Sequence, residues 1–273
     1  MRSEASRLPA VGQVASEILT TLAAAGAGPL PEYAAGLRAA CGASAPAFGT
    51  GWYRRRYRAL ARDPGWLAVS LVVNAEKEGE GSRKLWRLAA RAGDPDVAEQ
   101  VRRHALDESR HALVYLAMLD TVFPGSVRER DRSRLRALSP CYRAGDRPRR
   151  LRQATQRLVL DELIQMNIGE IRTRLNQLLL APAAHRYCPA RGRRRLTRML
   201  TALLADETRH IAYTARLLER AIVEGEGAFV RRTMARRLAE FNAITLAEVA
   251  GGCSCPRLEG PKSGSPRVAA TCS

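Results

Sequence analysis

The chain has 273 residues, of which 46% are hydrophobic and 5% aromatic. This length is enough to bury a core in one large domain, or in a domain with extensions. The formal net charge is +18, and nearly all of it comes from arginine. The arginines are spread along the chain without interleaved aromatic residues, which disfavours nucleic-acid binding without excluding it. The low aromatic content and the many Ala, Leu and Arg residues favour an all-α fold.

The sequence contains no apparent membrane span. Its longest apolar run, residues 66–75, contains Ser70 and Asn74 and is too short to cross a bilayer. Glu4 and Glu17 interrupt the Ala/Leu pattern of the N-terminal region, which argues against a signal peptide. We therefore expect a cytoplasmic protein.

Three regions are expected from composition and periodicity. Residues 1–60 form an N-terminal helix and an irregular extension, residues 61–250 a helical bundle, and residues 251–273 a disordered tail rich in Gly, Ser and Pro. The six cysteines are too sparse for a disulfide scaffold, so we expect free thiols. Three of them lie in the tail, without an assigned role: Cys253, Cys255 and Cys272.

The N-terminal region predicts an amphipathic helix over 5–25, because apolar residues recur there at helical spacing. Residues 26–51 are predicted to form an irregular connection with one short helix at 31–40. The basic run 54–56 is interpreted as a solvated face.

A helical hairpin follows. Asp63 as N-cap and Pro64 at the first helical position predict a helix over 64–92, and Asp94-Pro95 opens the next helix, over 95–122. The turn between them is at Gly93.

Folding the chain at this turn brings Glu78 level with Glu108, since residue 93 is their midpoint. Glu78 also falls on the predicted inward stripe of its helix. Glu76 and Glu80 lie on roughly the opposite side, and they stay open as alternatives.

The remaining segments are a basic crossover at 126–148, a third long helix at 149–180, a loop at 181–192, a fourth helix at 193–223 and a fifth at 226–249. In the third helix Glu162 is placed level with Glu207, with Glu170 as the alternative. The residues predicted to face inward on this helix are small and polar. Among them, Gln165, Gly169 and Thr173 indicate a cavity.

One motif occurs twice in the chain. Both copies read Asp-Glu-x-Arg-His, with Glu108 and His111 in the first and Glu207 and His210 in the second. Residues three apart share a helix face, so the Glu and the His of each motif can contact the same metal ion. Carboxylate and neutral imidazole together suit iron, manganese or zinc. Paired motifs of this kind are typical of di-iron and di-manganese four-helix bundles, which add one Glu from each of two further helices.

On these residues the chain resembles the ferritin-like di-iron carboxylate superfamily, over about residues 60–225. The shared pattern is a helix-one Glu, a Glu-x-x-His, a helix-three Glu and a second Glu-x-x-His. The resemblance implies a ferritin-like four-helix bundle with additional N-terminal and C-terminal helices, and two iron ions, or iron with manganese. The implied ligands are Glu78, Glu108, His111, Glu162, Glu207 and His210.

Other side chains near the motifs are assigned from the sequence as well. Tyr115, one turn past His111, is expected to pack in the core, and the alternative is that it lines the pocket or carries an oxidising equivalent. Asp107 and Asp206 would each accept a hydrogen bond from a ligand histidine on a neighbouring helix, or they are surface charges. The two remaining histidines, His104 and His185, are expected at the surface.

We therefore expect a di-iron oxygenase or oxidase that activates O2 to hydroxylate, desaturate or N-oxygenate a small organic substrate in a bacterial biosynthetic pathway. Gln165, Thr173 and Tyr115 are the candidate catalytic residues. An electron-donor protein or a chemical reductant would supply electrons, and a homodimer is left open. The alternatives are an iron-storage ferritin-like protein and a tRNA-modifying di-iron hydroxylase, the latter motivated by the net charge.

Overall fold

The computed structural model describes residues 12–250, with side chains described up to residue 248. All regular structure in this range is helical, and no strand occurs in it, which confirms the all-α prediction. The helices are α1 (Val14–Ala24), α2 (Pro31–Ala43), α3 (Gly51–Leu60), α4 (Pro64–Ala89), α5 (Pro95–Val122), α6 (Glu129–Arg136), α7 (Gln156–Tyr187), α8 (Arg193–Ala221) and α9 (Gly227–Ala250).

The chain divides into two compact units. Of the described residues, the first contains 12–58, 154–180 and 204–250, and the second contains 59–153 and 181–203. The start of the predicted helix 5–25 and the predicted tail 251–273 lie outside the described residues. Among the described helices, none combines the length and the apolar composition that a bilayer span requires.

The helix starts predicted for the hairpin are confirmed by their caps. The Asp63 side chain accepts a hydrogen bond from the Gly65 N–H at 2.8 Å, at the start of α4. The Asp94 side chain accepts from the Asp96 and Val97 N–H groups, at the start of α5. These bonds satisfy amide donors that have no partner inside the helix.

Three helix assignments were wrong. Residues 51–60 form α3 rather than an irregular extension, and residues 129–136 of the basic crossover form α6. The third long helix starts seven residues later and ends seven residues later than predicted, at Gln156 and Tyr187. The loop expected at 181–192 is therefore short. Pro182 lies inside α7.

In the second unit, the segment after α6 packs against the α4–α5 hairpin. The Ser109 and Ser139 hydroxyls lie 3.1 Å apart, and the Ser139 hydroxyl also donates to the Ser109 carbonyl at 2.6 Å. The Tyr142 N–H donates to the Ser109 hydroxyl at 3.1 Å. The Tyr142 ring stacks on Trp86 with a centroid separation of 4.0 Å. The hairpin and this segment are thus joined by buried polar contacts.

In the first unit, Asn167 of α7 joins three helices. Its side-chain oxygen accepts a hydrogen bond from the Tyr33 hydroxyl of α2 at 2.8 Å. Its amide nitrogen donates to the Thr214 hydroxyl at 2.9 Å and to the Ile211 carbonyl of α8 at 3.3 Å. Because Asn167 is fully buried, these bonds fix the rotation of α7 about its axis.

We expect Gly79→Ala to destabilise the protein by about 1–3 kcal/mol, because there is no space for a side chain at this position. A Cβ atom there would lie 2.0 Å from the Leu138 carbonyl oxygen, which is a backbone atom. Urea denaturation measures the free energy of unfolding.

The matched control is Gly42→Ala in α2, where a Cβ atom would meet nothing within 4 Å. This variant should be stabilised by about 0.5–1 kcal/mol, since alanine is the better helix former. Equal stability of the two variants would contradict the close approach of Leu138 to α4.

Candidate metal centre

The α4–α5 hairpin buries two carboxylates and two imidazoles together, a set that we call the hairpin cluster: Glu78, His104, Glu108 and His111. All four side chains belong to the second unit, and none is more than 8% exposed. The Glu108 Oε1 atom lies 3.3 Å from His104 Nε2 and 3.3 Å from His111 Nδ1. His111 Nδ1 is 3.9 Å from Glu78 Oε2.

The protonation of Glu108 reflects these neighbours. Burial by itself raises the pKa of this carboxyl, because it disfavours the charged form. Hydrogen bonds with Glu78, His104 and His111 lower the pKa and prevail, so the pKa lies well below its ordinary value. Glu108 is therefore a carboxylate at neutral pH, which is the form that binds metal.

His104 was missed by the sequence analysis, and its expected surface position is wrong. The side chain is 1% exposed and belongs to the hairpin cluster. A signal for it was present in the sequence, because His104, Glu108 and His111 follow the i, i+4, i+7 spacing of one helix face. His185, the other histidine expected at the surface, is only half-buried.

The second motif lies in the first unit, in what we call the α8 cluster: Gln177, Glu207 and His210. Glu207 is fully buried and His210 is 2% exposed, with 3.7 Å between Glu207 Oε2 and His210 Nδ1. The Gln177 amide of α7 donates a hydrogen bond to Glu207 Oε1 at 2.8 Å. The position of Oε1 is thereby fixed.

Arg174, one turn before Gln177 on α7, is also buried and carries a positive charge near the α8 cluster. Burial lowers the pKa of its guanidinium, while the charges of Glu17 and Glu207 raise it. The negative charge of Glu207 is thus partly balanced within the protein itself.

Both units contain described side chains of a type and spacing that could hold a metal ion. In the hairpin cluster, ligand atoms of His104 and Glu108 lie within 4.8 Å of each other, as do those of Glu78 and His111. In the first unit, ligand atoms of Glu170 on α7 and His210 lie within 4.8 Å of each other. Five of the six predicted ligands belong to the two clusters, and Glu162 belongs to neither. The predicted ligand set stays a prediction.

The register of α7 against α8 favours the alternative Glu170 over Glu162. The bonds Asn167–Thr214 and Gln177–Glu207 place the centre of this antiparallel pair near residue 191. Glu162 is then level with a point about 13 residues beyond Glu207, or roughly 20 Å along α8. Glu170 is level with a point close to His210. The sequence-based estimate failed because it assumed a long loop at 181–192.

The polar stripe predicted on α7 does not form a cavity at Gly169. A Cβ atom at this position would lie 3.4 Å from the tip of the Phe241 ring, so α9 covers this part of the helix. Gln165 and Thr173, on the same stripe, are half-buried. Tyr115 is 2% exposed, one turn past His111. The catalytic roles predicted for Gln165, Thr173 and Tyr115 stay predictions.

The aspartates that precede the two ligand glutamates each form an ion pair on their own helix. Asp107 lies 2.6 Å from Arg110, whose side chain is half exposed. Asp206 pairs with Arg209 and is itself buried.

Comparisons with protein-family models, with curated proteins and with solved structures gave no match for this chain. The support for a function therefore comes from the side chains described above.

We expect Glu170→Gln to weaken metal binding at least about tenfold, since the amide is neutral and a poorer ligand than the carboxylate. Titration with Co(II), followed by its visible absorption, measures the affinity. The matched control is Glu162→Gln on the same helix, which should bind as the unaltered protein does. Equal weakening by both substitutions, or by neither, would contradict the assignment of Glu170.

Proposed function

We propose that the protein is a ferritin-like non-haem di-iron oxygenase or oxidase that acts on a small organic molecule. The observation that carries the proposal is the hairpin cluster, which buries two carboxylates and two imidazoles. Glu108 lies within 4 Å of His104 and His111, and Glu78 lies within 4 Å of His111. Burying carboxylates away from water is costly unless cations compensate their charge. Bound divalent metal ions would provide this compensation.

The chemistry of the donor set supports iron or manganese. The hairpin cluster, the α8 cluster and Glu170 together contain four carboxylates and three imidazoles, and none of these described side chains is a thiolate. Carboxylate and imidazole ligands suit iron, manganese and zinc, whereas metals that prefer soft ligands select thiolates. The two Glu-x-x-His motifs, each joined by a Glu from another helix, are the arrangement of di-iron and di-manganese bundles.

Each side chain has a distinct task in this proposal. In the second unit, Glu78, His104, Glu108 and His111 would hold metal, and in the first unit Glu170, Glu207 and His210 would do so. When bound, a pair of irons supplies the redox chemistry that activates O2. The protein contributes a buried environment that excludes bulk water, and Tyr115, one turn past His111, is buried as well. Gln165 and Thr173 remain the proposed contacts to the substrate.

Anaerobic titration with Fe(II) tests the proposal directly. We expect about two irons per chain, because paired Glu-x-x-His motifs hold two ions in di-iron bundles. His111→Ala should lose at least one of them, while His185→Ala, the matched histidine outside both clusters, should keep both. Admitting O2 to the loaded protein should then consume O2 and oxidise the iron.

A stoichiometry near zero in the unaltered, reconstituted protein would refute metal binding and the oxygenase with it. Two tightly bound irons that do not react with O2 would refute the oxygenase alone.

We further expect Gln177→Leu to weaken Fe(II) binding by about 10- to 100-fold, because the leucine cannot donate the hydrogen bond that positions Glu207. Isothermal titration under anaerobic conditions measures the affinity. The control is Gln156→Leu, at the exposed first residue of α7, and its affinity should stay unchanged. An unchanged affinity for Gln177→Leu would show that Gln177 does not position the ligand.

A further inference from the structure

Two segments of the second unit are strongly basic. Residues 128–136, which include α6, contain five arginines and two acidic residues, and residues 186–198 contain six arginines and no acidic residue. We call the exposed arginines of these segments the basic surface. They are Arg130, Arg134, Arg136, Arg186, Arg191, Arg193, Arg194, Arg195 and Arg198.

Both segments meet at the last turn of α5. From α6, Arg132 Nη1 lies 3.0 Å from Asp120 Oδ2. From the other segment, the Cys188 thiol donates to the carbonyl of Thr121 at 3.8 Å. A Cβ atom at Gly192 would lie 2.9 Å from the Thr121 side chain. Because residues 120 and 121 are adjacent, the two basic segments are close together in space.

Among the described residues, the arginines of this surface at 186–198 have no acidic partner. Elsewhere, arginines pair with acidic residues, as Arg102 does with Glu99 and Arg237 with Asp161. In α6 both acidic residues pair with Arg128 and Arg132. Within the part of the chain that the structure describes, no ion pair involves the arginines at 191, 193, 194, 195 and 198.

The position of three of these arginines opposes helix stability. Arg193, Arg194 and Arg195 occupy the first turn of α8, which contains no acidic residue. The N-terminus of a helix carries partial positive charge, so cations are unfavourable there. These charges therefore do not stabilise the start of α8, and they add to a positive potential that attracts anionic partners.

We propose that the basic surface docks an acidic one-electron carrier protein. The inference rests on the proposed function, because O2 activation by a di-iron oxygenase consumes electrons that an external donor must deliver. A patch of one sign of charge accelerates encounter with a partner of opposite charge and orients it.

A protein fits this surface better than a nucleic acid does. The one aromatic residue in the two segments is Tyr187, whose hydroxyl donates to the Arg62 carbonyl and whose ring packs 5.8 Å from that of Phe123. It is engaged in the fold and offers no platform on which a base could stack.

The experiment measures binding of a plant-type ferredoxin, as an acidic probe, to the iron-loaded protein at low and at high salt. The patch variant is Arg193→Glu/Arg194→Glu/Arg195→Glu. Acidic residues are favoured in the first turn of a helix, so this variant should fold. The control is Arg55→Glu/Arg58→Glu/Arg232→Glu, which changes three exposed arginines outside the basic surface and lowers the net charge equally.

We expect the unaltered protein to bind the ferredoxin at low salt and to release it at high salt. The patch variant should weaken binding about tenfold or more, and the control less than about threefold. Absence of binding at low salt, or equal weakening in both variants, would overturn the proposal. Tighter binding of a 20-base-pair DNA duplex or a 20-nucleotide single strand than of ferredoxin would overturn it in favour of nucleic acid.

The iron content of each preparation separates this inference from the proposed function. Iron-loaded protein that does not bind ferredoxin refutes the docking surface and leaves the metal centre intact. Protein that binds ferredoxin but holds no iron refutes the di-iron oxygenase.

Discussion

The burial of Glu108 between two imidazoles is the constraint on which the rest of the site depends. A carboxylate that loses its water must gain hydrogen bonds or opposite charges in return. His104 and His111 approach one oxygen of Glu108, each at 3.3 Å, and Glu78 lies next to His111. Two further contacts hold the surrounding elements close together. The glycine at position 79 admits the backbone of Leu138, and the hydroxyl of Ser82 is bonded to the Ala105 carbonyl.

The two Glu-x-x-His motifs are alike in sequence but have different surroundings. One turn before Glu108 stands His104, whereas the matching position before Glu207 is Leu203. Glu207 instead receives a hydrogen bond from Gln177. A ligand histidine on one side and a positioning amide on the other would give the two metal ions of the proposed centre unequal environments.

Much of the fold was predictable, because local physics determines it. The caps Asp63 and Asp94 mark their helix starts through hydrogen bonds within three residues. The inward position of Glu78 and Glu108 follows from helical periodicity and a short turn. The helix α3 was missed because its basic run was interpreted as a solvated face, although Tyr53 and Tyr57 supply a buried side.

The sequence by itself determined the all-α class, the hairpin, and five of the seven side chains that form the candidate metal-binding sets. These depend on the spacing of residues along one helix or across one short turn. Only the tertiary structure decided that Glu170 rather than Glu162 lies next to His210 and that His104 is buried. The first depends on the register of α7 against α8, which the bonds of Asn167 and Gln177 set over long sequence separations. The second depends on packing across the hairpin, since a helical stripe can face either a neighbouring helix or water.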